Sequence, residues 1–224
     1  MEINQLQHIA ALIGEPSRIR MLWSLMDGKA YTATELAYFS DVSPQSASMH
    51  LGKLVQSGVL KVISQGRHRY YSFANPEVAT ALEALSNLTP NQNKSVDTDD
   101  IPFRYCRTCY DHIAGKAGVA IADGLLKLNY LNEKDNTFEV TVEGACFFKN
   151  LDIDILSLQK LKRPLARCCL DWSERRYHLA GSLGAALLLK MIENNWMRRV
   201  ENSRSLVITS KGKSEVYKLL HIQI

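Results

Sequence analysis

The chain has 224 residues, of which 46% are hydrophobic, and a formal net charge of +4. This composition excludes a disordered or fibrous protein and allows two ordinary domains. The longest uncharged apolar run, residues 179–189, is much shorter than the roughly 20 residues that a membrane span needs. The first residues lack the basic start of a secretory signal, and five cysteines fit a reducing compartment. We therefore expect a cytoplasmic protein with free thiols and no membrane partner.

The charge is distributed unevenly. Residues 1–93 contain 7 basic and 7 acidic residues, but no acidic residue lies between Asp41 and Glu77. The basic residues of this acid-free stretch are Lys53, Lys61, Arg67 and Arg69. A neutral domain with one positive stretch is typical of a surface that contacts phosphate groups.

The first predicted elements are helices in close succession. Apolar residues at helical spacing predict a helix over residues 2–13 and a second helix from Pro16 to Gly28. Thr32 and Glu35 have the spacing of a capping box and begin a short third helix.

A fourth helix, a hairpin and a last helix follow in the chain. A fourth helix begins after a turn, with Ser43 as N-cap and Pro44 as its first residue. Two β-type runs around a turn at Gly66 predict a hairpin, and a last amphipathic helix covers residues 78–88. This order predicts a winged helix-turn-helix, which places one helix in the major groove of DNA and the hairpin, or wing, along the backbone.

The fourth helix and the wing supply the candidate contacts to DNA. Ala47, Leu51 and Leu54 fall on the side of the helix that faces the core, so the opposite side is left for DNA. The candidate DNA-binding residues are Ser43, Gln45, Ser46, Ser48, Met49, His50, Lys53, Arg67, His68 and Arg69. Met49 suits a thymine methyl group, whereas His50 suits either a base contact or a bond to the backbone.

Three segments resemble the ArsR/SmtB family of bacterial repressors. They are the Leu-Pro-Arg segment of residues 12–18, which has one extra residue, the recognition-helix motif Ser48–Leu54, and the wing motif Gly66–Tyr70. The resemblance covers about the first 90 residues and implies a homodimer built on the first and last helices of the domain. The segments that hold metal in the metal-sensing members, residues 35–43 and 75–88, contain no Cys or His here. Metal sensing at those positions is therefore not expected.

The second half contains an internal repeat. The sequence from His112 to Ala120 matches that from His178 to Ala186, and each copy follows an Arg-x-Cys segment and continues into an apolar helix. We expect the two copies to pack on each other or on the first domain. The predicted organisation is a DNA-binding domain at 1–90, a linker at 91–102, and a sensor and dimerisation domain at 103–224, with copies at about 104–153 and 164–224.

The cysteines and histidines of the repeats are candidates for sensing a ligand or a redox signal. They are Cys106, Cys109, His112, Cys168, Cys169 and His178. Nearby arginines, including Arg107 and Arg163, favour thiolates. Adjacent cysteines do not easily bind one tetrahedral ion together, so a four-thiolate site is disfavoured and we expect neither a metal nor a cofactor. Packing of the thiols as small apolar groups is the simpler alternative.

These observations predict a mainly α protein with small β-hairpins, an α+β fold with a winged helix-turn-helix and a second domain of two helix-plus-strand units. The predicted function is a sequence-specific, homodimeric repressor that binds operator DNA and is released by an unknown inducer, without enzymatic activity. Two alternatives remain. One is a thiol-dependent redox or metal-binding enzyme that carries a DNA-binding module. The other is a structural DNA-binding protein whose repeats also contact DNA, through Arg198, Arg199 and Arg204.

Overall fold

The computed structural model describes residues 3–88, 102–135 and 137–224. The chain divides into two compact units, Met1–Leu82 and Glu83–Ile224. This division falls earlier than residue 90, where the sequence placed it. The predicted linker at 91–102 lies outside the described residues except for its last position. No helix within the described ranges is both long enough and apolar enough to cross a membrane.

The first unit is a winged helix-turn-helix. Its elements are α1 (Ile3–Ile13), α2 (Pro16–Ser24), a 3-10 turn (Leu25–Asp27), β1 (Tyr31–Thr32), α3 (Ala33–Ser40), α4 (Pro44–Gln56), β2 (Leu60–Gln65) and β3 (His68–Phe73), followed by α5 (Pro76–Ser86), in which the division falls. The predicted order of helix, turn, helix and hairpin is confirmed. The sequence did not predict β1, which pairs antiparallel with β3 and makes the sheet order β1-β3-β2.

Short-range capping explains where these helices begin. The Thr32 hydroxyl accepts a hydrogen bond from the Glu35 N–H while the Glu35 carboxylate accepts one from the Thr32 N–H, so the predicted capping box is confirmed. The Ser43 hydroxyl accepts a hydrogen bond from the Ser46 N–H, and Pro44 is the first residue of α4, as predicted. Gly66 has a φ of +59°, which suits the tight turn of the hairpin.

The apolar side of α4 is packed into the core of the first unit. Ala47, Leu51 and Leu54 have no exposed surface, and they share this core with Leu22 and Leu36, which are equally buried. Burial of this side fixes the rotation of α4 about its own axis, and therefore decides which of its residues remain open to solvent.

The second unit presents one order of elements twice, namely hairpin, helix, hairpin, helix. Its elements are α6 (Pro102–Tyr105), β4 (Arg107–Cys109), β5 (His112–Ala114), α7 (Gly115–Lys127), β6 (Leu131–Lys134), β7 (Thr137–Val140), α8 (Val142–Asn150), α9 (Ile155–Gln159), β8 (Arg167–Leu170), β9 (Tyr177–Ala180), α10 (Gly181–Glu193), β10 (Met197–Arg199), β11 (Leu206–Ile208) and α11 (Ser210–Leu220). The strands β6, β7, β8 and β9 form one antiparallel sheet, in which Thr137 pairs with Arg167.

Two glycines show how closely the halves of the second unit resemble each other. A Cβ atom on Gly144 would lie 1.9 Å from the Tyr130 carbonyl oxygen, and one on Gly212 would lie 2.0 Å from the Trp196 carbonyl oxygen. Each glycine therefore permits the same close approach of a helix start to the preceding hairpin. The core of this unit includes the fully buried side chain of Phe148 and also two thiols, those of Cys106 and Cys168.

Candidate nucleic-acid interface and cysteine–histidine cluster

The side of α4 opposite the core carries exposed polar side chains and one exposed methionine. Gln45 and Lys53 are exposed, and Met49 keeps 54% of its surface open to solvent. A Cβ atom on Gly52 would meet nothing within 4 Å among the described residues, so there is open space beside the middle of this helix. Long polar side chains on an unobstructed helix face are what base and phosphate recognition requires.

The three candidate serines lie at or near the start of α4 and differ in how their hydroxyl groups are used. Ser43 accepts the capping hydrogen bond from the Ser46 N–H at 3.2 Å. The Ser48 hydroxyl donates to the Pro44 carbonyl at 2.9 Å, and so only its lone pairs remain for a ligand. Ser46 itself is half-buried.

His50 differs from the other candidates because it is buried. Its Nδ1 atom lies 3.4 Å from Arg18 Nη1 and 3.5 Å from a Glu15 carboxylate oxygen. Arg18 also donates to the carbonyl groups of Ala11 and Leu12 at the end of α1. The His50 side chain therefore belongs to a polar contact between α4 and the α1–α2 corner, which argues against the predicted base contact.

The wing carries the remaining basic candidates. Arg67 lies in the turn, and His68 and Arg69 begin β3; all three side chains are exposed. The Arg69 guanidinium lies 5.9 Å from the centre of the Tyr71 ring. The hairpin register runs from Leu60 opposite Phe73 to Gln65 opposite His68, so the basic residues are held at the tip of a regular hairpin.

Four of the six sensing candidates come together in the second unit. Cys109 lies directly opposite His112 in the β4–β5 pair, and Cys169 lies opposite His178 in the β8–β9 pair. The Sγ atoms of the two cysteines are 4.0 Å apart, and the Nε2 atoms of the two histidines are 3.1 Å apart. One atom from each side chain lies within 4.8 Å of the corresponding atoms of the other three. We call these four residues the cysteine–histidine cluster.

Carboxylates lie on the outer side of both imidazole rings. His112 Nδ1 is 3.3 Å from Asp111 Oδ1, and His178 Nδ1 is 3.2 Å from Asp171 Oδ2. Asp171 is fully buried, and it also accepts two hydrogen bonds from the Arg107 guanidinium, at 2.9 and 3.0 Å. Despite its burial, contacts with His178 and Arg107 hold the pKa of the Asp171 carboxyl well below its usual range. Both rings therefore direct Nε2 towards the cluster.

The two thiols of the cluster differ in acidity. Its hydrogen bond with Cys169, together with burial, raises the pKa of the Cys109 thiol to about 12. The same hydrogen bond lowers the pKa of Cys169. Cys109 Sγ also lies 3.1 Å from a carboxylate oxygen of Glu83. The sequence predicted that nearby arginines favour thiolates, but Arg107 and Arg163 are paired with the carboxylates of Asp171 and Asp111.

The other two candidate cysteines lie apart from the cluster. Cys106 and Cys168 pack in the hydrophobic core, and burial raises the pKa of Cys106 to about 12 and that of Cys168 to about 11. They fit the expectation of thiols packed as small apolar groups. Cys146, which the sequence did not single out, is exposed on α8.

Arg204 is engaged within the second unit. Its side chain donates to the Thr108 carbonyl oxygen at 2.8 Å and to Glu83 at 2.6 Å. Arg204 is therefore not available for the DNA contact that a structural DNA-binding protein would require of it. The side chains of Arg198 and Arg199, both on β10, are exposed.

Comparison with known proteins identifies relatives of the chain. Residues 13–63 match a family model described as a helix-turn-helix domain. The HTH-type transcriptional regulator YdfF of Bacillus subtilis is 43% identical over 221 residues, which cover 96% of this chain and 97% of that protein.

Two of the solved structures that resemble this chain each cover 37% of it. The transcriptional repressor PagR of Bacillus anthracis is 26% identical, with 37% of this chain and 94% of that one covered and a TM-score of 0.34. The homodimeric winged helix-turn-helix domain of Mb0332 from Mycobacterium bovis is 20% identical, with coverage of 37% and 76% and a TM-score of 0.35. These scores are low, so the family assignment depends on the full-length relative. The chain belongs to the HTH-type transcriptional regulators, and its first unit has the winged helix-turn-helix fold of a DNA-binding domain.

Proposed function

We propose that this regulator is a homodimeric, sequence-specific repressor that reads its operator with the open side of α4 and holds the DNA backbone with its wing. The exposure of Gln45, Met49 and Lys53 opposite a fully buried side of the same helix is the observation that carries the proposal. The proposal places the regulator in the cytoplasm, as the sequence predicts, and includes no catalytic activity.

The proposed contacts divide into two kinds. Lys53, Arg67 and Arg69 carry positive charge on exposed side chains and suit phosphate groups. Gln45 offers an amide that can bond two edge atoms of an adenine, and the Met49 side chain suits a thymine methyl group. Ser43, Ser46 and Ser48 complete the set near the start of α4, and His68 accompanies the arginines of the wing. His50 is left out because it is buried.

We expect Lys53→Ala and Arg67→Ala each to weaken binding to duplex DNA of random sequence. Each change removes a cation that displaces counterions from the duplex, so the slope of log affinity against log salt should become shallower by about 0.9 for each phosphate group that is no longer neutralised. Fluorescence anisotropy over a salt series measures both quantities. Lys29→Ala removes the same charge from an exposed loop residue outside the proposed contacts. Slopes equal to that of the wild type in both variants would exclude these residues as phosphate contacts.

The proposed dimer uses apolar side chains that α1 and α5 leave exposed. Ile3 and Leu6 on α1 keep 79% and 53% of their surface open, Leu85 at the end of α5 keeps 49%, and Leu88, just after α5, keeps 80%. The stripe that the sequence predicted on α1 is therefore not covered by its own domain, where only Leu12 of that helix is buried. A second copy of the chain, placed as the ArsR/SmtB resemblance implies, would bury these groups.

Replacing Ile3 and Leu6 together with Asp should give a monomer. Both side chains are exposed, so the fold is retained while two negative charges replace the apolar contact in each subunit. Sedimentation velocity measures the change. Asn4→Asp combined with Gln5→Asp adds the same charge to the opposite side of α1 and should leave the dimer intact. A wild-type protein that sediments as a monomer, or equal effects of the two pairs, would contradict the proposed interface.

A further inference from the structure

The cysteine–histidine cluster has the donor atoms and the spacing of a metal site. Directly opposite residues of an antiparallel pair project their side chains to the same side of the hairpin, so β4–β5 and β8–β9 each present one cysteine and one histidine. A tetrahedral zinc site places its sulfur atoms about 3.8 Å apart and its nitrogen atoms about 3.3 Å apart, given the usual bond lengths. The observed separations are 4.0 and 3.1 Å.

The surroundings of the two histidines provide a second, independent observation. Metal-binding histidines usually donate their other ring N–H to a carboxylate, which fixes the tautomer and directs the free lone pair at the metal. Asp111 and Asp171 lie next to the Nδ1 atoms of His112 and His178 at 3.3 and 3.2 Å. With the proton on Nδ1 of each ring, next to its carboxylate, both Nε2 atoms would present a lone pair to the same point, an arrangement that an ion between them would stabilise.

Charge and burial also suit a divalent ion. Cys109, His112 and His178 are buried, and Cys169 is half-buried. Two thiolates and two neutral imidazoles carry a charge of −2, which a divalent cation cancels, so the loaded site places no net charge in the interior. Binding releases the thiol protons to solvent. Mixed sulfur and nitrogen donors in a tetrahedral arrangement favour Zn²⁺ over the hard ions Mg²⁺ and Ca²⁺.

We propose that Cys109, His112, Cys169 and His178 together bind one Zn²⁺ ion in the second unit and thereby link its two similar halves. The site lies outside the helix-turn-helix, so the inference does not depend on the proposed DNA contacts. Four protein ligands leave no open position for a substrate, which makes this a closed site. From the sequence we expected no metal, because the adjacent Cys168 and Cys169 disfavour a site of four thiolates. Two of those four thiols, Cys106 and Cys168, lie in the core instead.

Cobalt substitution of the full-length protein tests the proposal. Protein treated with a chelator and a thiol reductant is titrated with Co²⁺, whose visible spectrum reports four-coordinate geometry and thiolate ligands. We expect one Co²⁺ per chain, tetrahedral absorption bands with a sulfur-to-cobalt charge-transfer band, and loss of these bands when one equivalent of Zn²⁺ is added. The metal should also raise the unfolding temperature of the protein.

Two cysteine variants make the assignment specific. Cys169→Ser changes the most accessible ligand of the cluster, and its far-ultraviolet circular dichroism reports whether it folds. It should weaken Co²⁺ binding at least about 100-fold, the upper end of the loss seen when only an outer partner of a metal ligand is removed. Cys146→Ser removes an exposed thiol outside the cluster and should bind Co²⁺ as the wild type does.

Three outcomes would overturn the proposal. They are absence of stoichiometric Co²⁺ binding by the reduced wild type, a spectrum of octahedral type, and equal loss of binding in the two variants. If Cys169→Ser does not fold, the spectrum and stoichiometry of the wild type and of Cys146→Ser decide the matter. A Cys109–Cys169 disulfide in protein that fails to bind Co²⁺ when reduced would assign the cluster to redox chemistry instead.

Discussion

Asp171→Asn should destabilise the second unit by about 3 to 5 kcal/mol, because it removes the carboxylate that pairs with a buried guanidinium. Arg107 keeps only 1% of its side-chain surface exposed, and Asp171 accepts two of its hydrogen bonds. Asp171 also accepts a hydrogen bond at 2.7 Å from the Gly115 N–H at the start of α7. The next carboxylate, that of Glu83, is 3.9 Å from Arg107 Nε and already pairs with Arg204, so it compensates only in part.

Urea unfolding followed by circular dichroism measures this loss, with a chelator present so that any metal bound by His178 does not contribute. The folded-state pKa of Asp171 is lowered, so its contribution is present at pH 7 and is lost only as the pH falls below the unfolded value of about 3.9 towards the folded one. Asp123→Asn breaks a largely exposed ion pair with Arg176 and should cost less than about 1 kcal/mol. Similar losses in the two variants would contradict the structural role of the Asp171–Arg107 pair.

Gln45→Ala should reduce the discrimination between operator and random DNA by about 1 to 3 kcal/mol, or roughly 5-fold to 150-fold, because it removes a side chain that bonds a base edge. Gln45 is exposed in the first turn of α4, so the substitution leaves the fold of the domain intact. Competition binding against random duplex DNA measures the ratio of affinities at a single salt concentration.

The matched control for this prediction is Gln5→Ala, which shortens an exposed glutamine of α1 outside the proposed contacts. It should retain the wild-type ratio. Lys53→Ala should weaken binding to operator and to random DNA alike, because a phosphate contact carries no sequence information. A Gln45→Ala protein that loses affinity equally for both DNAs would make Gln45 a backbone contact.

The winged helix-turn-helix could be predicted from sequence because its signals are local. Ser43 and Pro44 mark the start of α4 and Gly66 marks the turn of the wing, and each acts on a backbone only a few residues away. The strand β1 was missed because it has two residues and forms only by pairing with β3, about 40 positions later. No local pattern reports such a pairing.

The burial of His50 shows what helical periodicity cannot predict. Its position at the flank of α4 left a base contact and an internal contact equally open. The choice depends on Arg18 and Glu15, which lie more than 30 positions earlier in the chain and place a polar contact against this flank. Only the packing of α4 on the α1–α2 corner decides between the two.

The residues of the cysteine–histidine cluster could be predicted from the sequence, but their grouping into one site could not. The repeat aligns Cys109 with Cys169 and His112 with His178, but the metal site considered from the sequence was one of four thiolates, which joined Cys106 to Cys109. Residues in a strand alternate between faces, and those directly opposite across a hairpin share a face, so Cys109 groups with His112 instead. The occurrence of one cysteine and one histidine before each glycine-rich helix was the available signal.

Selection of fragments from the organism's own DNA by the purified full-length protein tests whether the open side of α4 reads an operator. We expect the bound fragments to share an inverted repeat whose half-sites lie about one helical turn, or a multiple of it, apart. We also expect that protein carrying both Gln45→Ala and Met49→Ala no longer enriches that repeat. Enrichment of the same sequence by the wild type and the double variant, or no common sequence in the wild-type pool, would show that this side of α4 does not read an operator.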